Sequence, residues 1–112
     1  MDNRTQPHND LAYMQAAETA AATIARIRGK WAIKILAVLS LKPHKISELR
    51  RRIPGLSNAT LIKNLRKLES YDLIKRADTS PQSRSIEYSI AAPIQHRIFL
   101  LVRLLADFDL RI

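Results

Sequence analysis

The chain of 112 residues is long enough for one domain with a hydrophobic core, and its net charge of +9 gives a pI near 10.5. Residues 26–84 hold fifteen basic and four acidic side chains, a net +11, so the two ends are nearly neutral. A basic middle of this kind indicates a polyanionic partner, or a charge that only keeps the protein soluble. The absence of cysteine excludes disulfides, thiolate metal sites and thiol redox switches.

No stretch of the sequence predicts export, membrane insertion or catalysis. The polar N-terminus lacks a signal-peptide core, and the best candidate for a membrane span, residues 98–102, is far shorter than the roughly 18 residues that a span needs. His8, His44 and His96 lie far apart, without acids at metal-ligand spacing, so we expect His44 in a turn and His96 on a helix surface. There is no glycine-rich phosphate loop and no G-x-S-x-G elbow. We therefore expect a cytoplasmic protein that is not an enzyme and has no cofactor.

The first half of the chain predicts a tail followed by two helices. Residues 1–10 are polar and lack apolar periodicity, which predicts a flexible tail. Asp10 can cap an alanine-rich helix over residues 11–28, which could pack closely on a partner chain or along its own domain. After Gly29, the segment Trp31–Leu41 is apolar almost all round, so we expect it at the centre of the core.

A helix-turn-helix is predicted over residues 46–70. A short helix at about Ile46–Arg52 is separated by the turn Pro54-Gly55 from a second helix that Ser57 can cap. The second helix has an apolar face made by Leu61, Leu65 and Leu68. Its opposite face is polar and basic, with Ala59, Lys63 and Arg66 at its middle and Asn58 and Ile62 at its flanks. Such a helix fits the major groove of B-DNA, whereas the alternative is a core helix with a solvated basic face.

The second half predicts a two-stranded hairpin and a last helix. Strands are expected at residues 73–77 and 85–90, joined by the polar loop 78–84, whose tip carries Ser80, Gln82, Ser83 and Arg84. A hairpin after a helix-turn-helix is a wing. Pro93 can begin a helix over residues 93–110. Its apolar residues cover more of the helix circumference than one domain surface can bury, so we expect this helix to pack in a dimer interface rather than only against its own core.

The segment from Arg28 to Ile90 resembles the HxlR-type winged helix-turn-helix transcription regulators. The matching pieces, in the family's order and spacing, are GKW at residues 29–31, ELRRRIPGLS at 48–57, LRKLESYDLIKR at 65–76 and IEYSI at 86–90. The chain departs from the family in lacking the sensing cysteine that many relatives carry before GKW. It also has Arg28 in place of a first glycine, Ala92-Pro93-Ile94-Gln95 in place of Thr-Pro-Leu-Gly, and Ile62 where relatives often have a polar residue.

The resemblance implies a mainly α fold with a small β-hairpin, one winged helix-turn-helix domain over residues 11–112 (wing hairpin 73–90), and a homodimer on double-stranded DNA. The dimer would form through helices 11–28 and 93–110, with interface residues Met14, Ala17, Ala21, Ile98, Leu101, Leu105 and Phe108. From the predicted outer faces of the helices and the wing, we expect the DNA-binding residues to be Ser57, Asn58, Ala59, Ile62, Lys63, Arg66, Lys67, Arg51 and Arg84. For each of them, contact with a phosphate without reading of the sequence stays open as an alternative. The function implied is a sequence-specific regulator, with repression as the predicted action and association with the nucleoid when bound to DNA.

Two alternatives stay open from the sequence. The domain could be a protein-interaction module or an architectural nucleic-acid binder without sequence specificity, because a winged helix alone does not define function. It could also sense a small molecule in a cavity at the dimer interface, although no residue argues for or against this effector.

Overall fold

A computed structural model describes residues 7–80 and 85–108, with five α-helices and three β-strands in these ranges. The helices are α1 (Pro7–Ile27), α2 (Lys30–Leu39), α3 (Ile46–Arg52), α4 (Asn58–Ser70) and α5 (Gln95–Phe108), and a 3₁₀ turn at Ala92–Ile94 precedes α5. The strands are β1 (His44–Lys45), β2 (Ile74–Ser80) and β3 (Ser85–Ile90). They form one antiparallel sheet in the order β1-β3-β2. The predicted mainly α fold with a helix-turn-helix and a hairpin is confirmed.

Helix α2 lies at the centre of the core, as its nearly continuous apolar sequence predicts. Its residues Ile35, Leu36 and Leu39 are at most 1% exposed. Leucines of α3 and α4 and apolar residues of β2 and β3 complete the same cluster. At about 25 cal/mol per Å² of buried apolar surface, this shared burial is the main term that holds the helices and the sheet together.

Helix α1 begins four residues earlier than predicted. We expected Asp10 to cap a helix starting at residue 11, but the helix starts at Pro7 and Asp10 lies in its first turn. Proline suits the first helical position because its missing N–H would have no partner there, and an acid in the first turn is favoured by the helix dipole. The predicted tail is therefore too long at its C-terminal end, while residues 1–6 lie outside the described residues.

Strand β1 was not predicted, and His44 does not lie in a turn. His44 pairs with Tyr88 of β3, is 2% exposed, and has its Nδ1 2.7 Å from the carbonyl oxygen of Lys42. A carbonyl can only accept, so Nδ1 carries the proton of this hydrogen bond. A two-residue strand has no measurable alternation, and its partner lies more than forty residues away, so the sequence gives no local signal for it.

The wing strand β2 is longer than predicted. It extends to Ser80, with Asp78 opposite Ile86 and a bulge between Asp78 and Ser80, so part of the predicted loop 78–84 is strand. The side chains of residues 78–80 are typical of a turn, but their backbone groups find hydrogen-bond partners on β3, and this pairing extends the strand. The predicted wing-tip residues Gln82, Ser83 and Arg84 lie outside the described residues.

Helix α5 divides its apolar residues between the core and the surface. Ile98, which we predicted at a dimer interface, is 7% exposed and belongs to the core of its own chain, with Leu101 half-buried beside it. Further along, Leu105 is 44% and Phe108 63% exposed. Ile98 therefore closes the domain on the inner side of α5, while Phe99 and Leu100 on its outer side and the later turns of the helix stay exposed.

Helix α1 projects from the rest of the domain. All its described side chains from Asn9 to Arg26 are exposed, including the apolar Leu11 and Met14, while Ile27 is buried. The radius of gyration is 17.2 Å, against about 13 Å for a compact chain of roughly this length. A 21-residue helix is about 31 Å long, which accounts for the elongated shape.

Replacing Leu65 by alanine should lower the free energy of unfolding by about 3 kcal/mol, because the leucine side chain is 1% exposed and its loss leaves a cavity in the core. The same change at Leu41, which is 57% exposed, should cost less than about 0.5 kcal/mol. Urea unfolding at one fixed chain concentration measures both. Equal losses at the two positions would contradict the assigned core.

Candidate nucleic-acid interface

Ser57 begins helix α4 as the sequence predicts. Its backbone is extended (φ −74°, ψ 158°), and its Oγ accepts a hydrogen bond of 3.2 Å from the backbone N–H of Thr60. The Ser57 hydroxyl also donates to the Oγ1 of Thr60 at 3.0 Å. These bonds satisfy one of the free N–H groups of the first turn and fix the direction in which the helix leaves the preceding turn.

The two faces of α4 separate as predicted. Leu61, Leu65 and Leu68 are at most 1% exposed and pack in the core. The side chains on the opposite face are exposed: Asn58, Ala59, Lys63, Arg66 and Lys67. Because the three leucines are locked in the core, the helix cannot rotate about its axis, and its basic face is held towards solvent.

Ile62 lies at the border between these two faces. Its side chain is half-buried, so only part of it is available to a ligand. On the opposite border, Asn64 is also half-buried and its Nδ2 donates to the carbonyl oxygen of Thr60 at 2.9 Å. Asn64 thus uses its amide within the helix. The predicted site residues at the centre of the exposed face, by contrast, keep their side chains free of the core.

The turn between α3 and α4 is held by its apolar flanks and one glycine. Ile53 and Leu56 are buried on either side of Pro54-Gly55. Gly55 has a φ of +83°, a conformation that residues with a Cβ rarely adopt. A Cβ at this position would lie 3.8 Å from the Cη2 atom of Trp31, so the tryptophan ring packs directly beside the turn.

Helix α3 adds a second basic surface. Its last three residues, Arg50, Arg51 and Arg52, are exposed. Arg51 and Arg52 line a cleft of about 310 Å³ together with Lys42, His44 and Glu48. Three cations face one carboxylate there, so the cleft is positively charged. The arginines and Lys42 make it chemically suited to an oxyanion such as a phosphate.

Glu48 lies at the edge of this cleft and stays ionised. Its Oε1 accepts a hydrogen bond of 2.8 Å from the backbone N–H of Lys45. This bond lowers the pKa of Glu48 below its ordinary value, and electrostatic interactions with His44, Lys45 and Lys42 lower it further. The carboxylate thereby caps the N-terminal end of α3 rather than acting as an acid or base.

The structure assembles only part of the predicted site. It brings five of the predicted α4 residues onto one exposed face, and Arg51 lines a cleft with Gly55 and Leu56 of the turn before α4, whereas Arg84 lies outside the described residues. Lys30 and Lys34, for which the sequence predicts no role, lie over the ring of Trp31, which packs beside the helix-turn-helix turn. Their i, i+4 spacing around Trp31 places them on one side of α2 and is a signal that could have found them.

Two further kinds of feature are not found among the described residues. Within residues 7–80 and 85–108, no group of three or more histidine, cysteine, aspartate or glutamate side chains is placed to hold a metal ion. None of the helices described has both the length and the apolar character needed to cross a bilayer.

A helix-turn-helix followed directly by an antiparallel hairpin defines the class of winged helix-turn-helix proteins, and the fold described above has this arrangement. Residues 26–106 match the family described as HxlR-like helix-turn-helix. This match covers most of the chain, and the protein belongs to that family. The resemblance noted from the sequence is confirmed.

Similar proteins are transcription regulators of the helix-turn-helix type. The chain is 38% identical over 63 residues to YkvN of Bacillus subtilis and 30% identical over 82 residues to YtfH of Escherichia coli, each named an uncharacterized HTH-type transcriptional regulator. These alignments cover 56% and 73% of this chain but only 53% and 64% of the two relatives. The fold is also similar to that of the redox regulator HypR in its reduced form, with a TM-score of 0.72, 21% identity and coverage of 80% of this chain and 88% of that chain.

Replacing Ser57 by alanine should lower the free energy of unfolding by about 1 kcal/mol, because the N–H of Thr60 loses its acceptor. Replacement by asparagine, which also accepts at this position, should leave stability nearly unchanged. Thermal and urea unfolding of the two variants measure the difference. An alanine variant as stable as the asparagine variant would show that the cap contributes nothing.

Proposed function

We propose that the protein is a sequence-specific regulator of transcription that binds double-stranded DNA as a homodimer. Helix α4 enters the major groove, and the wing contacts the flanking backbone or minor groove. Repression is the proposed action, because a protein that only occupies a promoter blocks access to it. This proposal places the protein in the cytoplasm, associated with the nucleoid when bound.

The observation that carries this proposal is the fixed outward direction of the basic face of α4. A helix fits the major groove of B-DNA, where lysine and arginine donate to guanine O6 and N7. Lys63 and Arg66 are exposed near the middle of this face, and the leucines behind them prevent the helix from turning away. We assign base contacts to these two residues and to Asn58, which can pair with adenine. Ala59 and the exposed part of Ile62 are small or apolar enough to meet a thymine methyl group.

The remaining predicted residues are proposed to hold the backbone of the duplex. Lys67 lies at the edge of the exposed face of α4, and Arg51 lines the basic cleft of α3, so both suit phosphates. The hydroxyl of Ser57 lies at the N-terminus of α4, where free N–H groups favour an anion. Arg84 is proposed for the wing contact on the strength of its position in the sequence.

The homodimer is proposed from the apolar surface that one chain leaves open. Met14, Leu105 and Phe108 are 57%, 44% and 63% exposed, and Ala17 and Ala21 on α1 are also exposed. Exposed apolar patches of this breadth are uncommon on monomers. A second copy that covers α1 and the later turns of α5 would also pair two α4 helices about a two-fold axis, as a palindromic site requires.

Replacing Lys63 and Arg66 together by alanine should abolish the preference for a duplex selected from a random library, because the proposed base contacts are lost. The control is Arg97→Ala, which removes one exposed charge from α5 and is compared with each of Lys63→Ala and Arg66→Ala alone. Gel-shift titration with the selected duplex and a scrambled one measures the preference, and circular dichroism confirms unchanged helix content. A double variant that still prefers the selected duplex would reject the assignment. Salt-sensitive binding by the native protein without any preferred sequence would instead favour an architectural or interaction module.

Replacing Met14 by glutamate should convert the dimer to a monomer, because a charge would be buried in the proposed interface. Thr23→Glu is the matched control, since it adds the same charge to α1 nine residues on, which at 100° per residue is the opposite face of the helix. Sedimentation velocity at several concentrations measures the assembly. A Met14→Glu protein that still sediments as a dimer would contradict the proposed interface.

A further inference from the structure

Trp31, the one tryptophan of the chain, holds two lysine side chains over its ring. The Nζ of Lys30 lies 4.6 Å from the ring centroid and the Nζ of Lys34 lies 5.4 Å from it. Both distances fall within the range of cation–π attraction. Both lysines are exposed, whereas Trp31 is half-buried and packs against the core, so the ring is a fixed platform beneath two exposed cations.

This pair of lysines lies beside the turn that leads into α4. The Cη2 atom of Trp31 is 3.8 Å from where a Cβ of Gly55 would be, so the indole ring touches that turn. Gly55 is two residues from Ser57, which caps α4, and two peptide units span at most about 7.6 Å between Cα atoms. The lysines are thus held close to the end of α4 that the proposed function directs into the groove.

The local charge is not balanced along the chain. No aspartate or glutamate occurs between Glu18 and Glu48, and the other charged side chains in that stretch are all basic. Two ammonium groups at i and i+4 repel each other on a helix surface. The ring offsets part of this repulsion, but a nearby anion would neutralise it. An arrangement that concentrates two exposed cations beside a proposed DNA-reading helix therefore favours a phosphate as its ligand.

We propose that Lys30 and Lys34 bind backbone phosphates of the duplex next to the groove that α4 enters, with Trp31 as the positioning residue that directs both towards the DNA. This inference rests on the proposed function and extends its contact surface from α3 and α4 to the start of α2. The lysines are assigned to phosphates rather than bases because they belong to α2, behind the turn, and not to the exposed face of α4. Contacts of this kind add affinity and fix orientation but do not select a sequence.

The test is the salt dependence of DNA binding by the full chain. Each neutralised phosphate contributes about 0.9 to the slope of log K against log salt concentration, so Lys30→Gln/Lys34→Gln should flatten the slope by about 1.8 per chain. The affinities for the selected duplex and for the scrambled duplex should fall by the same factor. Lys30→Arg/Lys34→Arg keeps both charges and should retain the native slope.

The matched control is Arg97→Gln. It is compared with Lys30→Gln and with Lys34→Gln, because each of these three variants loses one charge. Arg97 lies two residues after Gln95, whose Nε2 donates to the carbonyl oxygen of Ser40 at the C-terminal end of α2. Because α2 has ten residues and is about 15 Å long, Arg97 lies towards the end opposite to Lys30. Its removal should leave the slope unchanged. Trp31→Phe keeps an aromatic ring with weaker cation–π attraction, and should weaken binding less than the double lysine variant.

The outcomes separate this inference from the function on which it rests. A native protein that binds a preferred duplex with the same salt slope as Lys30→Gln/Lys34→Gln would overturn the inference and leave the proposed function intact. A double variant that loses its preference between duplexes, rather than affinity for both, would overturn the assignment to phosphates. A native protein that binds no duplex would overturn the proposed function and this inference together. Thermal unfolding of each variant verifies that the fold is retained.

Discussion

The burial of three leucines on one side of α4 is the constraint on which the rest of the molecule depends. Leu61, Leu65 and Leu68 are fixed in the core formed around α2, and this sets the rotation of α4 about its axis. The same burial turns Lys63 and Arg66 outward, so one packing interaction determines both stability and the direction of the basic face. The Ser57 cap and the positive φ of Gly55 then fix where the helix begins.

A second constraint is that the chain has more apolar surface than its core can cover. The first turns of α5, including Ile98, pack against α2, whereas Leu105 and Phe108 stay exposed. Helix α1 contributes little to the core beyond Ile27. The apolar faces of α1 and of the later turns of α5 therefore lack a cover in one chain, which is the physical basis for proposing a second copy.

The sequence predicts the central elements well because their signals are local. Residues 46–52, the Ser57 cap and the strand 85–90 were predicted with the bounds observed, since capping residues, leucine spacing and alternation act within a few positions. The errors at His44 and Ile98 arise where distant parts of the chain decide, and the error at the start of α1 is local. The pairing of His44 with Tyr88 and the burial of Ile98 depend on tertiary contacts, and the early start of α1 depends on Pro7 serving as a first helical residue rather than a breaker. The role of the α4 side chains was predicted from the same spacing that buries the leucines, and stays a prediction.

Protection of a selected duplex from dimethyl sulfate measures most directly whether the basic face of α4 lies in the major groove. This reagent methylates guanine N7 in the major groove and adenine N3 in the minor groove, and N7 is the acceptor proposed for Lys63 or Arg66. The account predicts that bound protein protects guanine N7 in two patches about one helical turn apart, related by the symmetry of two copies. Unprotected N7 atoms together with protected adenine N3 atoms, or no protection in either groove, would contradict it.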